Sequence, residues 1–369
     1  MIFAINGALF GTWASRIPAI SNIHGLSPAS LGSLIFLMGL SAVVAFSIFG
    51  RAADRFGAAF VTKLASSIFL PLTLIFIAYA NSIWMLIAAI IFFGGIHGGI
   101  DVAMNAWAAE VERKYERPLM SSFHAMWSLG SGIGAGFGVL LATYSLGVKM
   151  HFTISSIVIF LAVLSILTIP FQSEKRQRDK NVPFISIPRG SLLTVAFITF
   201  FASLGEGAIA DWSAIFLISV LSINDGSAAL GFTIFSICMF AMRLMGDRIS
   251  FKYGPSKTAR YSGLVALIGS IILLTFESFF PLLIGFGLIG LGIAVIIPLA
   301  FSRAGNDKNI SQGTAIASIA TLGYGGMLIG PLFIGLIAQA TSIKSSFLIF
   351  PILAFLIFAL SKHLSIKSA

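Results

Sequence analysis

Residues Phe93 to Gly138 read FGGIHGGIDVAMNAWAAEVERKYERPLMSSFHAMWSLGSGIGAGFG. They form two apolar, glycine-rich segments joined by a charged turn from Glu110 to Arg117. Each segment has the ~20-residue length that crosses a bilayer as a helix. Yet the pair carries His97, Asp101, Asn105 and His124. A central Asp costs about 2.5–3.5 kcal/mol on insertion scales, so such groups face a water-filled cavity or another helix rather than lipid. The rest of the chain reads as the frame around these polar side chains.

Working outward, the same pattern of apolar runs and short polar turns fills the sequence. Hydrophobic residues make up 57% of the 369 and charged residues 10%, with a mean hydropathy of +1.00. A soluble globule is excluded. The expected spans are 1–17, 30–50, 60–80, 83–109, 121–142 and 151–170, then 191–218, 228–246, 258–276, 280–300, 311–338 and 343–361. The sequence therefore predicts an all-α membrane protein with twelve transmembrane helices.

The net charge of +10 has a topological origin. With the first segment running outward, all but Arg16, Lys149 and Lys344 of the 23 Lys and Arg residues fall in inner loops. They cluster at Arg51–Lys63, Arg113–Arg117, Lys175–Arg189, Arg243–Arg260, Arg303–Lys308 and Lys362–Lys367. This is the positive-inside asymmetry. It predicts cytoplasmic termini and a bacterial inner-membrane location, and it argues against nucleic acid as a partner. The lone Cys238 cannot form an intramolecular disulfide. The start MIFAINGALF lacks a basic region before its apolar run, so no cleavable signal peptide is expected. Either the first helix is short or the true start lies upstream.

The two halves repeat. Gly50-Arg51-Ala52-Ala53-Asp54-Arg55 closes the second span, and Arg243-Leu244-Met245-Gly246-Asp247-Arg248 closes the eighth, with the Asp-Arg pairs 193 residues apart. The same offset carries Leu129–Gly132 onto Leu322–Gly325, and Gly94 and Gly99 onto Gly287 and Gly292. Gln172–Gly190 is the longest polar stretch. The expected organisation is a six-helix bundle over 1–171, a cytoplasmic linker over 172–190 and a second bundle over 191–369. Duplicated halves of this kind place a site at their interface, near the bilayer midplane.

The loop Gly50–Gly57, GRAADRFG, resembles the signature loop of the major facilitator superfamily, Gly-x-x-x-Asp-Arg/Lys-x-Gly followed by basic residues. The resemblance covers the whole chain, through its twelve spans, long central loop and the loop motif in each half. It implies the major facilitator fold, two pseudo-symmetric six-helix bundles, and alternating-access transport by a protein that works as a monomer. By the same resemblance, Asp54 and Arg55 join a cytoplasmic charge network favouring the outward-facing state. Gly50 and Gly57 permit close packing and the turn, and Asp247 and Arg248 stand as the second copy. Ala58 and Ala59 replace basic residues usual in the pattern, which implies a weaker network. A charge pair at a helix end is the alternative reading. Within the superfamily, DVAMNAWAAEVE, RPLMSSFHAMWSLG and EGAIADWSAIFL resemble a bacterial branch that includes a membrane protein linked to rhizopine metabolism.

His97, Asp101 and Asn105 recur every fourth residue and form one helical stripe. His124 and Ser128 sit at similar depth on the next helix, so contact of Asp101 or Asn105 with His124 is expected. The stripe is either a proton-titrating or substrate-binding cluster, or an interhelical hydrogen-bond lock. Glu206 lies near the middle of the seventh span, and EGAIADW there echoes NGALFGTW in the first. That echo pairs Glu206 with Asn6 and Trp212 with Trp13. The superfamily resemblance makes all four cavity-lining residues, with Glu206 the first choice for a coupling carboxylate. Arg16 either binds substrate, pairs with Asp211 across the halves as an outer gate, or snorkels to the interface.

These observations predict a secondary active transporter with a small-molecule substrate, protons as the coupling ion and the bilayer as its environment. The branch resemblance points to a sugar, cyclitol or similar solute. No Gly-x-x-x-x-Gly-Lys-Ser/Thr loop or His-Glu-x-x-His pair occurs, so neither an ATP-driven pump nor a metal enzyme is expected. No cofactor or metal is expected. A drug or metabolite exporter of the same fold and a non-transporting sensor are the alternative readings.

Overall fold

The computed structural model describes residues 1–115, 119–173, 188–305 and 312–365. Much of the linker thus lies outside the described residues, as do the ends of three basic clusters. Those described are helical, without strands. Hydrocarbon dictates this, because an α-helix satisfies its backbone polar groups within one segment. In chain order the helices begin with α1 (Ile2–Ala14), α2 (Ile17–Ile23), α3 (Pro28–Phe56) and α4 (Ala58–Ala78). Next come α5 (Ile83–Tyr115), α6 (Met120–Thr143), α7 (Val148–Leu167) and α8 (Ser191–Leu221). They continue with α9 (Asp225–Ala228), α10 (Leu230–Tyr253), α11 (Pro255–Thr275) and α12 (Phe279–Ile293). The last are α13 (Ile296–Gly305), α14 (Gln312–Ala340), α15 (Ile343–Ser346) and α16 (Ile349–Leu360).

Among the described residues, eleven helical stretches are long and apolar enough to cross a membrane, and Ile2–Ala14 adds a shorter apolar helix. The first, tenth and twelfth expected spans are broken, the last of these between Ser346 and Ile349. The first divides at Ser15 and Arg16, and Pro18 lies in the first turn of α2, where its missing N–H costs nothing. The tenth divides between Ile293 and Ile296.

The chain forms two compact units, Met1–Asp179 with Asn224–Thr233, and Lys180–Ile223 with Ile234–Ala369. The first unit takes in α9 and the start of α10, which the sequence assigns to the second half. Its central pair is α1 with α6. A Cβ on Gly130 would collide with the Ala4 carbonyl oxygen, one on Gly134 with that of Ala8, and one on Gly7 with that of Trp127. The two backbones therefore touch and run parallel. In the second unit α8 and α14 do the same, with Gly326 against Phe200 O and Gly330 against Leu204. Small residues at such contacts permit close van der Waals packing, which holds helices together in lipid.

These contacts set the register of the repeat, and it differs from the sequence expectation. Ala4–Gly130 in the first unit corresponds to Leu204–Gly330 in the second, and Gly7–Trp127 to Gly207–Met327, all 200 residues apart. Gly130 does not correspond to Gly323, which abuts Thr199. Likewise the positive-φ turn at Gly57 (φ +96°) has its counterpart in Gly254 (φ +83°). Asp247 and Arg248 lie inside α10, well before that turn, and are exposed. They are not the positional copy of Asp54 and Arg55.

Two side chains tie down the turns at one end of the first unit. Glu112 Oε1 accepts the N–H groups of Leu119 (2.7 Å) and Met120 (3.2 Å), so α5 caps the start of α6. At the Gly57 turn, glycine offers no side chain to cap α4. Ser173 supplies it from a distant part of the chain, its Oγ accepting the Ala59 N–H at 2.8 Å.

Gly130→Ala is expected to destabilise the protein by about 1–3 kcal/mol through backbone overpacking. Gly325→Ala is the control, because nothing lies within 4 Å of a Cβ there. Thermal unfolding of the detergent-purified variants compares them, and equal transitions would contradict the packing account.

Candidate functional site

In the first unit, Phe3, Asn6, Phe10 and Trp13 are spaced three or four residues apart and share one face of α1. Their contacts show what that face meets. Phe3 packs on Phe123 and His124, with ring centroids 5.4 and 5.5 Å apart. Phe10 meets His97 at 5.4 Å and Trp127 at 5.7 Å, and Trp13 meets Phe93 at 5.7 Å. Helix α5 thus passes α1 in the opposite sense, and its polar stripe faces α1. Asp101 stands one turn beyond His97, toward the level of Asn6.

The polar atoms along this face are under-satisfied. Asn6 is fully buried, and neither atom of its amide has a hydrogen-bond partner. His97 Nδ1, Trp13 Nε1 and Ser131 Oγ are also buried without one. Each unmade bond costs about 1–3 kcal/mol. This concentration of free donors and acceptors in an aromatic frame suits a polar solute, which would supply the missing bonds. The expected Asn105–His124 contact is replaced by a bond within α5. Asn105 Nδ2 donates to the Asp101 carbonyl (2.8 Å) and carboxylate (3.3 Å).

The second unit holds the other group of candidates. Glu206, the first choice for a coupling carboxylate, is paired with a cation. Its Oε1 and Oε2 accept from one Arg243 nitrogen at 3.2 and 3.3 Å, with both side chains largely buried. Arg243 Nε also approaches the Ala294 carbonyl at 3.4 Å. That carbonyl lies where α12 gives way to α13, where the helical ladder is interrupted and an oxygen is released. Gly246 lets α10 approach the break, since a Cβ there would stand 2.6 Å from Val295 Cγ1. Further along α8, Asp211 Oδ1, on a different face from Glu206, and Ser213 Oγ, on the same face, are buried without hydrogen-bond partners, as is Trp212 Nε1.

Arg16 also differs from expectation. Its Nε donates to His151 Nδ1 and its terminal nitrogen to the Leu146 carbonyl, both at 2.8 Å. It is buried, so it does not snorkel, and the carboxylate acting on it electrostatically is Asp225. The expected Asp211 pairing gives way to a lock within the first unit. Of the gating-loop residues, Gly50 lies within α3 and Asp54 and Arg55 in its last turn. The Arg55 guanidinium lies over the Phe56 ring at 5.1 Å.

Arg243, His151 and Asp225 were missed in the sequence. A cation inside the apolar run SICMFAMRLM was the available signal for Arg243. Nothing local marked His151, which meets Arg16 only through the fold.

The profile of the Major Facilitator Superfamily matches residues 1–319. The transporter y4wD of Sinorhizobium fredii is 38% identical over 359 residues, 97% of this chain and 95% of its own. Membrane protein MosC of Rhizobium meliloti is 29% identical over 349 residues, covering 94% of this chain and 84% of its own. The solved nucleoside transporter NupG superposes with a TM-score of 0.72 at 15% identity, over 99% of this chain and 98% of that one. That last likeness concerns the fold alone.

If the unmet amide of Asn6 serves a solute, Asn6→Leu removes a cost and a function together. The variant is expected to be about 1–3 kcal/mol more stable than wild type while losing solute flux. Thermal unfolding and uptake on one preparation check this, and a less stable variant with normal flux would refute it.

Proposed function

The chain belongs to the Major Facilitator Superfamily, a family of membrane transporters, and from that premise we propose a proton-coupled secondary transporter of a small polar solute. The solute class is a sugar, cyclitol or related compound. The protein works by alternating access in the bacterial inner membrane, as a monomer with both termini cytoplasmic. Residues 1–171 and 191–369 act as its two bundles, joined by 172–190.

The observation that carries the reading is the Glu206–Arg243 pair. A buried ion pair contributes little net stability, because desolvation offsets attraction, whereas removing one partner's charge is strongly destabilising. Binding a proton to Glu206 is such a removal. It changes the electrostatics of α8 and α10 by one charge and so biases two conformations differently. A one-unit pH difference across the membrane supplies about 1.4 kcal/mol per proton. Asn6, Trp13, His97, Asp101, Asn105 and His124 bind the solute in the first unit, where unsatisfied polar atoms lie among aromatic rings. In the second unit, Asp211 and Trp212 are the polar groups assigned to substrate handling.

The test is uptake into proteoliposomes with an external pH electrode. A solute gradient is expected to alkalinise the outside with wild type. Glu206→Gln is expected to reduce that proton movement at least tenfold. Proton movement unaffected by the substitution would exclude Glu206 as the coupling group.

A further inference from the structure

We propose that Asp211 and the Met327 carbonyl form a proton-binding site at the seam of α8 and α14, and that its proton is one the transporter carries. The inference rests on the transport reading above and specifies what Asp211 does in it. Three observations on the second unit carry it.

First, Asp211 faces α14. Phe200, Leu204, Gly207 and Asp211 follow one another at intervals of three or four residues, which aligns them on one face of α8. The first three abut Gly326, Gly330 and Met327. By the offset of 200 residues, Asp211 matches Gly11 and Pro331 matches Ser131. A Cβ on Gly11 would stand 2.0 Å from the Ser131 carbonyl oxygen, so the first unit has no room there for a side chain. The second unit places a buried carboxylate at that position.

Second, the seam widens to admit it. A Cβ on Gly7 would lie 2.1 Å from the Trp127 oxygen, but one on Gly207 would lie 3.5 Å from the Met327 oxygen. Gly130 against the Ala4 oxygen and Gly330 against the Leu204 oxygen differ likewise, at 2.0 and 3.2 Å. Pro331, inside α14, accounts for the change. A proline ring clashes with the carbonyl four residues before it and bends the helix.

Third, the seam holds acceptors without a donor. Pro331 has no N–H, so the Met327 carbonyl loses its helical partner. That carbonyl points along α14 towards Pro331, while the Asp211 side chain leans back along α8 towards Gly207. The two helices run parallel, so the groups converge. Asp211 Oδ1 has no hydrogen-bond partner, and Trp212 Nε1 and Ser213 Oγ, the adjacent donors, have none either. A proton on Asp211 makes its carboxyl a donor to the Met327 oxygen and satisfies both groups. The O–H bond forms with a proton from water and breaks when α8 and α14 part, returning it.

The charged groups around the seam are held elsewhere. Among the described residues, α12 and α16 have no ionisable side chain, and α14 has Tyr324, which is exposed. On α8 itself, Glu206 lies on another face and bonds Arg243 of α10. Lys344 of α15 pairs with Glu277. Arg303 of α13 and the Lys362–His363 turn after α16 lie near the start of α8, where Ala304 and Leu364 share a core with Leu192.

The experiment is infrared spectroscopy of the full chain in lipid nanodiscs at neutral pH, which needs no solute. Subtracting the Asp211→Asn spectrum from wild type is expected to isolate the carbonyl stretch of a protonated carboxyl, shifted in D2O. Glu206→Gln is expected to retain that band. Pro331→Ala gives the Met327 carbonyl an N–H again, so the band should move to higher wavenumber as the acid loses its acceptor. Pro331→Gly restores the same N–H in a helix that still bends, which separates this effect from misfolding. In proteoliposomes with a myo-inositol gradient, Asp211→Asn is expected to lower proton movement more than tenfold.

A difference spectrum without the band, or a band unmoved by both proline variants, would overturn the site. Proton movement persisting in Asp211→Asn would overturn the carriage of its proton. The band present without myo-inositol-driven proton movement in wild type would overturn the transport reading, and the carriage with it, while the site stands.

Discussion

Backbone contact between parallel helices is the constraint on which this protein depends. In lipid no hydrophobic force drives helices together, so close packing must substitute. Glycines at Gly7, Gly130 and Gly134 bring α1 against α6, and Gly326 and Gly330 bring α14 against α8. Both α1 and α8 carry polar side chains that lipid would reject, Asn6 on one and Glu206 on the other. With one flank of each helix pressed into its partner, these side chains are held inside their units. Packing and polarity are thus two faces of the same helices.

The polar groups divide into those the fold satisfies and those it leaves open. Arg16 is satisfied twice over, by His151 and the Leu146 carbonyl, and it joins the end of the first broken span to α7. Arg243 and Glu206 satisfy one another with long, shared bonds. Asn6 and Asp211 retain atoms with no hydrogen-bond partner. A protein selected only to persist would fill such positions with Leu, so unmet hydrogen-bonding capacity in a buried helix is where function is expected to show.

Much of this was legible in the sequence because a polar residue is conspicuous in an apolar run. Asn6, His97, Asp101 and Glu206 could be singled out on that ground, and hydropathy alone located the spans. The partners were harder. Arg243 looked like the first member of a basic inner loop, because the eighth span seemed to end at Gly246. The helix instead continues to Tyr253, which draws Arg243 into its middle. His151 reaches Arg16 from 135 positions along the chain, a distance no local pattern bridges. The repeat was visible but its register was not. Glycines recur every few residues on these helices, so neighbouring shifts matched almost equally well until backbone contacts separated them.

The cap that Ser173 places on α4 has a mechanical side. A helix start is normally held by the residue just before it, but here the anchor is the last described stretch of chain after α7. The Gly57 turn and the stretch after α7 are therefore held together, by this 2.8 Å bond and by the one that Lys63 of α4 gives the Ile169 carbonyl. The loop that the family resemblance associates with gating is thus anchored from beyond α7, by a residue more than a hundred positions along the chain.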